Sequence, residues 1–130
     1  MKNITVLMAW IFAVTFLGIT ILGLISNFFA EVKAFFETNT TVNLVHLTTA
    51  IWFIVSTRTD ESIRIQSMQI FGMTYMLISL IGFLGMNLQI GFQLSDVIYL
   101  NLLNYLQFGL GVTVSATGSI LKKRQRLVVA

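Results

Sequence analysis

The stretch "NITVLMAWIFAVTFLGITILGLISNFFA", from Asn3 to Ala30, contains no charged residue and is apolar along almost its whole length. Three further uncharged stretches follow it, at 38–57, 65–95 and 97–121. A helix needs roughly 20 apolar residues to cross the hydrocarbon core of a bilayer, and each stretch can supply them. Continuous apolar runs also favour helices over the alternating strands of a membrane barrel. The sequence therefore predicts an all-α polytopic membrane protein with four transmembrane helices.

Charged and capping residues divide the chain into its predicted elements. Helices are expected at about 4–26, 41–57, 62–86 and 97–120, so that one four-helix transmembrane domain fills residues 1–130. The first apolar run is longer than the core of a signal peptide, and no small-residue cleavage pattern follows it, so we expect it to be retained. Residues 27–38 carry phenylalanines and charged residues on opposite sides of a helix, which is typical of an amphipathic segment in the membrane interface.

The positive charges predict the orientation of the helices. Seven of the eight lysines and arginines fall on one side of the predicted membrane, and Lys33 alone falls on the other. Because lysine and arginine are enriched in cytoplasmic loops, both termini are expected in the cytoplasm. Four basic residues directly after the last helix are expected to contact lipid phosphates, and nucleic acid is not an expected partner. These residues are Lys122, Lys123, Arg124 and Arg126.

A short internal repeat relates the second helix to the fourth. The segment "NLVHLTTA" at 43–50 aligns with "NYLQFGLG" at 104–111 at an offset of 61 residues. Spacings of three and seven residues keep each polar and small trio on one helical face. The pattern predicts a tandem parallel repeat of two helical hairpins, related by an axis along the membrane normal. The matched positions are Asn43 with Asn104, His46 with Gln107, and Ala50 with Gly111.

The repeated residues have a structural interpretation. Asparagine, glutamine and histidine hydrogen-bond across helices inside a bilayer, and small residues let helix backbones approach closely. We therefore predict a polar cluster of the second and fourth helices and close packing at three glycines of the third and fourth. The polar cluster comprises His46, Asn43, Asn104 and Gln107, and the glycines are Gly82, Gly111 and Gly118.

These motifs resemble those of the uncharacterised prokaryotic domain-of-unknown-function 4383 family of small four-helix membrane proteins. The resemblance covers the whole four-helix plan, and its specific part is the two eight-residue motifs. In that family the histidine position tends to be filled in both copies and the small position by glycine, whereas here Gln107 and Ala50 stand at two of these positions. The resemblance implies a small integral membrane protein with no assigned reaction. We expect a multi-pass protein of a bacterial inner membrane, with the thylakoid membrane as the alternative.

Several function classes lack the residues they need. All five carboxylates lie at predicted membrane boundaries, which argues against a proton-coupled exporter. The chain has no cysteine, so thiolate chemistry and cysteine-ligated metal centres are excluded. His46 has no positioned nucleophile and no orienting acid by spacing. We therefore expect no catalytic residue, no metal site and no enzymatic activity.

Three interpretations of His46 stay open at this point. It can be a packing residue that hydrogen-bonds to Gln107, Asn104 or Asn43, which needs no cofactor. It can be the single axial ligand of a chlorophyll or a haem. It can also handle protons, because an ionisable group inside a membrane is a functional candidate by default.

The leading functional hypothesis is a non-catalytic integral membrane protein. Its expected partners are the lipid bilayer and other membrane subunits or further copies of itself. It would then be an accessory or structural subunit of a larger complex, or a self-associating bundle. A pigment- or haem-binding protein and a small-solute channel or carrier are the alternatives.

Overall fold

The computed structural model describes residues 2–26, 28–29, 40–88 and 94–129. These residues form four α-helices, which confirms the all-α prediction. They are α1 Lys2–Ser26, α2 Thr40–Ser56, α3 Glu61–Leu88 and α4 Leu94–Val129. The predicted amphipathic segment at 27–38 falls outside the described residues except for Phe28 and Phe29, which are exposed directly after α1.

Three of the helices match the predicted boundaries within about two residues, but α4 is longer at its end. The uncharged window predicts an end near residue 120, whereas α4 continues to Val129. The added residues are mostly lysine, arginine, glutamine and leucine, which are good helix formers, and no glycine or proline interrupts them. The basic cluster therefore lies on the last turns of a helix.

The helices pack as two pairs, α1 with α2 and α3 with α4. These are the two hairpins that the sequence predicts. A tight connection at 57–60 joins the pairs, with the backbone amides of Thr57, Arg58 and Thr59 bonded to carbonyls three residues earlier in α2. Asp60 then accepts the first backbone hydrogen bond of α3, from Arg64 at 3.1 Å.

The α1–α2 pair is held by apolar side chains of moderate and small size. Phe12 and Phe16 of α1 lie with ring centroids 5.6 and 6.1 Å from that of Phe53 of α2. Ala9 and Ala13 of α1 are buried beside them. Alternating phenylalanine with alanine lets the two helices interlock, so this pair has a conventional apolar interface.

The α3–α4 pair is held by glycines. A Cβ atom added at Gly111 would lie 2.8 Å from the backbone oxygen of Gly72 and from Met76, and one at Gly118 would lie 3.0 Å from the backbone nitrogen of Gln69. Two of the glycines picked out from the sequence therefore lie where the backbones of α3 and α4 touch. The third, Gly82, is in α3, but its surroundings are outside the described residues.

The two pairs meet through α3. Tyr75 of α3 packs on Phe16 with ring centroids 4.9 Å apart, and Trp52 of α2 donates from Nε1 to Ser67 Oγ at 2.9 Å. Both α1 and α2 thus contact the same face of α3. This face of α3 includes the buried residues Tyr75 and Ser79.

Among the described helices, one is both long and apolar enough by itself to cross a membrane. It is α1, over Asn3–Ser26, with a mean hydropathy of 2.3. Because it lies near the N-terminus, its length and composition fit a membrane span or a signal sequence. The apolar part of α2, Val42–Ser56, is shorter than the roughly 20 residues of a typical span.

Candidate functional site

His46 lies at the point where α1, α2 and α3 meet. Its imidazole stacks on the ring of Tyr75 at 5.6 Å between centroids and on that of Phe16 at 6.1 Å, with interplanar angles of 11° and 23°. Only 1% of its surface is exposed. The inward face of α2 repeats every three or four residues, at Asn43, His46, Thr49 or Ala50, and Phe53, so the helix itself brings His46 inside.

The hydroxyl of Tyr75 is satisfied by α2. Thr49 Oγ1 lies 3.1 Å from the phenolic oxygen of Tyr75 and donates to the carbonyl of Val45 at 2.8 Å. Because the Thr49 proton is used in that second bond, Tyr75 is the donor in the first. The Tyr75 side chain therefore both stacks on His46 and anchors α3 to the next turn of α2.

The ring nitrogens of His46, unlike the hydroxyls of Thr49 and Tyr75, make no hydrogen bond within the described residues. Both nitrogens are buried, and neither has a hydrogen-bond partner among the described residues. A buried polar group without a partner costs about 1–3 kcal/mol. His46 is therefore held by ring packing, and its nitrogens are the unused hydrogen-bonding groups of this site.

The other three predicted cluster members are also buried, one on α2 and two on α4. Asn43 lies one turn from His46 on α2, and Asn104 and Gln107 lie on α4. Gly111 touches Met76 of α3, so Gln107, one turn earlier in the antiparallel α4, is level with the turn after Met76. His46, one turn from the Thr49–Tyr75 bond, reaches that same level of α3. The two repeated motifs thus lie at a similar depth.

A direct bond between His46 and Gln107 stays a prediction. The helix pairs that pack closely in the described residues are α1–α2, α3–α4, α1–α3 and α2–α3. The His46 ring contacts α1 and α3, and the fully buried Ser79 of α3 lies close to the same level. The polar residues of the repeated pattern on α2 are buried, and the aromatic neighbours of His46 do not follow from that pattern.

A second buried site, which the sequence analysis missed, surrounds Arg64. The guanidinium of Arg64 is fully buried, and its Nε donates to Thr5 Oγ1 of α1 at 3.0 Å. Another nitrogen donates to the backbone carbonyl of Thr59 in the α2–α3 connection. From the sequence, Arg64 indicates only the orientation of the helices. Its spacing of four residues from Met68 and eight from Gly72 places it on the inward face of α3, and this was the available signal.

The basic cluster at the end of α4 is outside the core. Lys122, Lys123, Arg124 and Arg126 are all exposed, and Lys122 Nζ lies 3.4 Å from Gln69 Oε1 of α3. Within the described parts of the chain, no three histidine, cysteine or acidic side chains come close enough together to hold a metal ion.

Comparisons of the chain with protein-family models, with curated proteins and with solved structures return no match in any of the three. The resemblance to the family of unknown function therefore rests on the two repeated motifs alone.

Proposed function

We propose that the chain is a multi-pass integral membrane protein whose four helices all cross the bilayer, with both termini in the cytoplasm. It acts by contact, as a non-catalytic accessory or structural subunit of a larger membrane complex or as a self-associating bundle. The observation that carries this proposal is the placement of polar and apolar side chains: large apolar side chains cover the outside of the bundle, and polar side chains share its interior with the apolar core.

Many polar side chains lie in the interior of the bundle. Buried positions include His46, Arg64 and Gln107 together with many serines and threonines. The buried hydroxyls of Thr20, Ser56 and Ser79 bond to carbonyls three or four residues earlier in their own helices. Helices in a membrane use such small and hydroxylated residues at their contacts.

Large apolar side chains cover the exterior of the bundle. Leu7 and Val14 of α1, and Met73, Leu77 and Ile81 of α3, are each more than half exposed. Only 33% of the most apolar window of α1 is buried in the bundle. A protein in water rarely exposes so large a continuous apolar surface, whereas lipid chains or apolar partners cover it at no cost.

The length of α2 is compatible with this placement. It has 17 residues, which is the lower end of the range of about 17–25 residues for membrane-spanning helices. At 1.5 Å per residue it extends about 26 Å. A small local thinning of the bilayer accommodates a span of this length at modest cost.

Contact with another helix is supported by an open glycine on the outside of α4. A Cβ atom added at Gly109 would meet nothing within 4 Å, and Thr113 and Thr117 follow it along the same stripe. The hydroxyls of Thr113 and Thr117 bond to carbonyls four residues earlier, so they need no partner from outside. A stripe of this kind lets a second helix approach closely.

The test is co-purification from native membranes in a gentle detergent, followed by native mass spectrometry. We expect the wild-type chain to be recovered with a second copy or with partner subunits. Gly109→Leu places its side chain in open space within the monomer, so it should leave the fold intact but break this association. The matched variant Gly18→Leu, at the equally open glycine of α1, should retain the association. A wild-type protein recovered only as a monomer without any partner would overturn the proposal.

A second candidate function is the binding of one chlorophyll or haem by His46. It is favoured by the two buried ring nitrogens that lack hydrogen-bond partners among the described residues. The absorbance spectrum of protein purified from a pigment-replete host tests it. A bound cofactor should be lost in His46→Ala and kept in Tyr75→Phe, which preserves the ring stack. A colourless wild-type protein would rule the candidate out.

A further inference from the structure

A groove of about 490 Å³ runs along the outer surface of the α3–α4 pair, at the end that carries the basic cluster. Its lining changes in character along its length. Lys122 and Gln125 of α4 line one end, Gln69 and Ser119 line the middle, and Ile70 and Met73 of α3 line the other end. The groove is therefore cationic and polar at one end, where Ile65 is the one apolar residue of its described lining, and mostly apolar at the other end, where Ser115 lies level with Ile70 and Met73.

This order matches the order of chemical groups in a phospholipid. Seven residues of α4 separate Lys122 from Ser115, another lining residue, which is about 10 Å along a helix. In the membrane placement proposed above, Lys122 is at the phosphates of the cytoplasmic leaflet and Met73 is at the start of the acyl chains. The intermediate amides and hydroxyls are then level with the ester groups of the lipid.

The polar side chains of the groove retain hydrogen-bonding capacity. Gln69 Nε2 donates to Ser119 Oγ at 3.3 Å, and Lys122 Nζ donates to Gln69 Oε1 at 3.4 Å. Both bonds are long, and an ammonium group has three donors. On a surface that faces lipid, hydrocarbon cannot satisfy such groups, whereas phosphate and ester oxygens can.

The charge of the groove favours an anion. Among the described residues that line the groove, Lys122 carries the charge, and it is positive. Further cations follow it on the same helix, at Lys123, Arg124 and Arg126. Each lysine or arginine near a membrane surface contributes about 1 kcal/mol to the attraction of anionic lipid. A headgroup with net negative charge is thus preferred over a zwitterionic one.

We propose that this groove binds one anionic glycerophospholipid from the cytoplasmic leaflet. Its phosphate lies against Lys122, its ester oxygens bond to Gln69 and Ser119, and one acyl chain lies along Ile70 and Met73. The site rests on the proposed membrane placement, but it does not depend on which protein partner the chain has.

The test uses the full-length chain, purified in detergent, stripped of lipid and then titrated. The probes are phosphatidylglycerol, phosphatidylcholine with the same acyl chains, and inorganic phosphate. Native mass spectrometry counts the bound lipid, and the unfolding temperature reports the stabilisation. We expect one tightly bound phosphatidylglycerol and a raised unfolding temperature, with no comparable effect of phosphatidylcholine or phosphate.

Two matched pairs of variants locate the site. Ser119→Phe fills the groove and should abolish the bound lipid, whereas Ile120→Phe, on the exposed neighbouring position, should retain it. Lys122→Gln should weaken phosphatidylglycerol binding about fivefold, and Lys123→Gln, which does not line the groove, should weaken it less.

Each of the following outcomes would overturn the inference. Equal binding of the two lipids removes the charge preference, undiminished binding by Ser119→Phe removes the groove, and an equal effect of inorganic phosphate makes it a free anion site. A chain that stays in the membrane fraction but binds no lipid refutes the groove alone. A chain that is soluble without detergent refutes the membrane placement itself.

Discussion

At the scale of single residues, two buried polar side chains differ in how they are held, although Arg64 Nη2 also lacks a hydrogen-bond partner among the described residues. Arg64 is bonded to Thr5 and to the Thr59 carbonyl, whereas the His46 nitrogens have no bond among the described residues. Arg64 therefore joins α1 to the start of α3, and His46 fills space between two rings. Substitution should separate these two roles.

Replacement of His46 tests whether its nitrogens matter to the fold. His46→Phe keeps a planar ring between Phe16 and Tyr75 and removes two unsatisfied groups, so it should leave the unfolding temperature unchanged or raise it. His46→Ala empties a packed volume and should cost about 2–4 kcal/mol. Thermal unfolding in detergent measures both. If the two variants are equally destabilised, the nitrogens have a partner and the packing interpretation fails.

Replacement of Arg64 tests the link between α1 and α3. Arg64→Met retains much of the side-chain volume but loses the bonds to Thr5 and Thr59, and hydrogen bonds of charged groups contribute about 1.5–3 kcal/mol each. We expect a clear loss of stability, of about 2 kcal/mol or more. Arg58→Met, at an exposed position in the same connection, is the matched control and should change stability by less than about 0.5 kcal/mol.

At the scale of the helices, the α3–α4 pair has a seam of glycines with backbone contact, and the α1–α2 pair interlocks phenylalanine with alanine. The two interfaces should respond differently to added volume. All three nearest atoms at Gly72, and two of the three at Gly111, belong to the backbone, which cannot rotate away.

Two glycines of α4 provide the sharpest comparison. Gly111→Ala places a methyl group 2.8 Å from the backbone of Gly72 and Met76, and should destabilise the protein by about 1–3 kcal/mol. Gly109→Ala adds the same methyl group in open space and should be neutral or stabilising by up to about 1 kcal/mol, because alanine is the better helix former. Thermal unfolding of both variants in the same detergent measures the difference in stability. Equal effects of the two variants would contradict the close backbone contact of α3 with α4 at Gly111.

The elements show which features a single sequence can specify. Uncharged stretches between charged residues predict four helices in two hairpins, because few polar groups interrupt them. The inward faces of α2 and α4 also follow from the spacing of Asn43, His46, Asn104 and Gln107. Spacing gives the face of a helix but not the helix that it meets, so the stack of His46 on Phe16 and Tyr75 could not be predicted. Arg64 was missed because charged residues near helix starts are usually exposed.

At the scale of the whole molecule, large apolar side chains cover the outside of the bundle, and polar side chains share its interior with the apolar core. The proposed topology is testable by cysteine labelling. The chain has no cysteine of its own, so single cysteines report without any background. Arg58→Cys and Lys123→Cys should react with a membrane-impermeant thiol reagent only after the cells are opened, and Thr38→Cys should react in intact cells. Labelling of Arg58→Cys in intact cells would contradict the cytoplasmic assignment.

In the proposed membrane placement, the length of α4 would set how deep its helix pair sits. A helix of 36 residues is about 54 Å long, well beyond the roughly 30 Å of hydrocarbon. At about 100° per residue, the four cations near its end cover about 200° of the helix circumference. Because charged side chains are costly in hydrocarbon, this end of α4 would stay at the level of the lipid phosphates. The close backbone contact at Gly72 and Gly111 would carry α3 with it, so the end of one helix would hold two helices at one height in the bilayer.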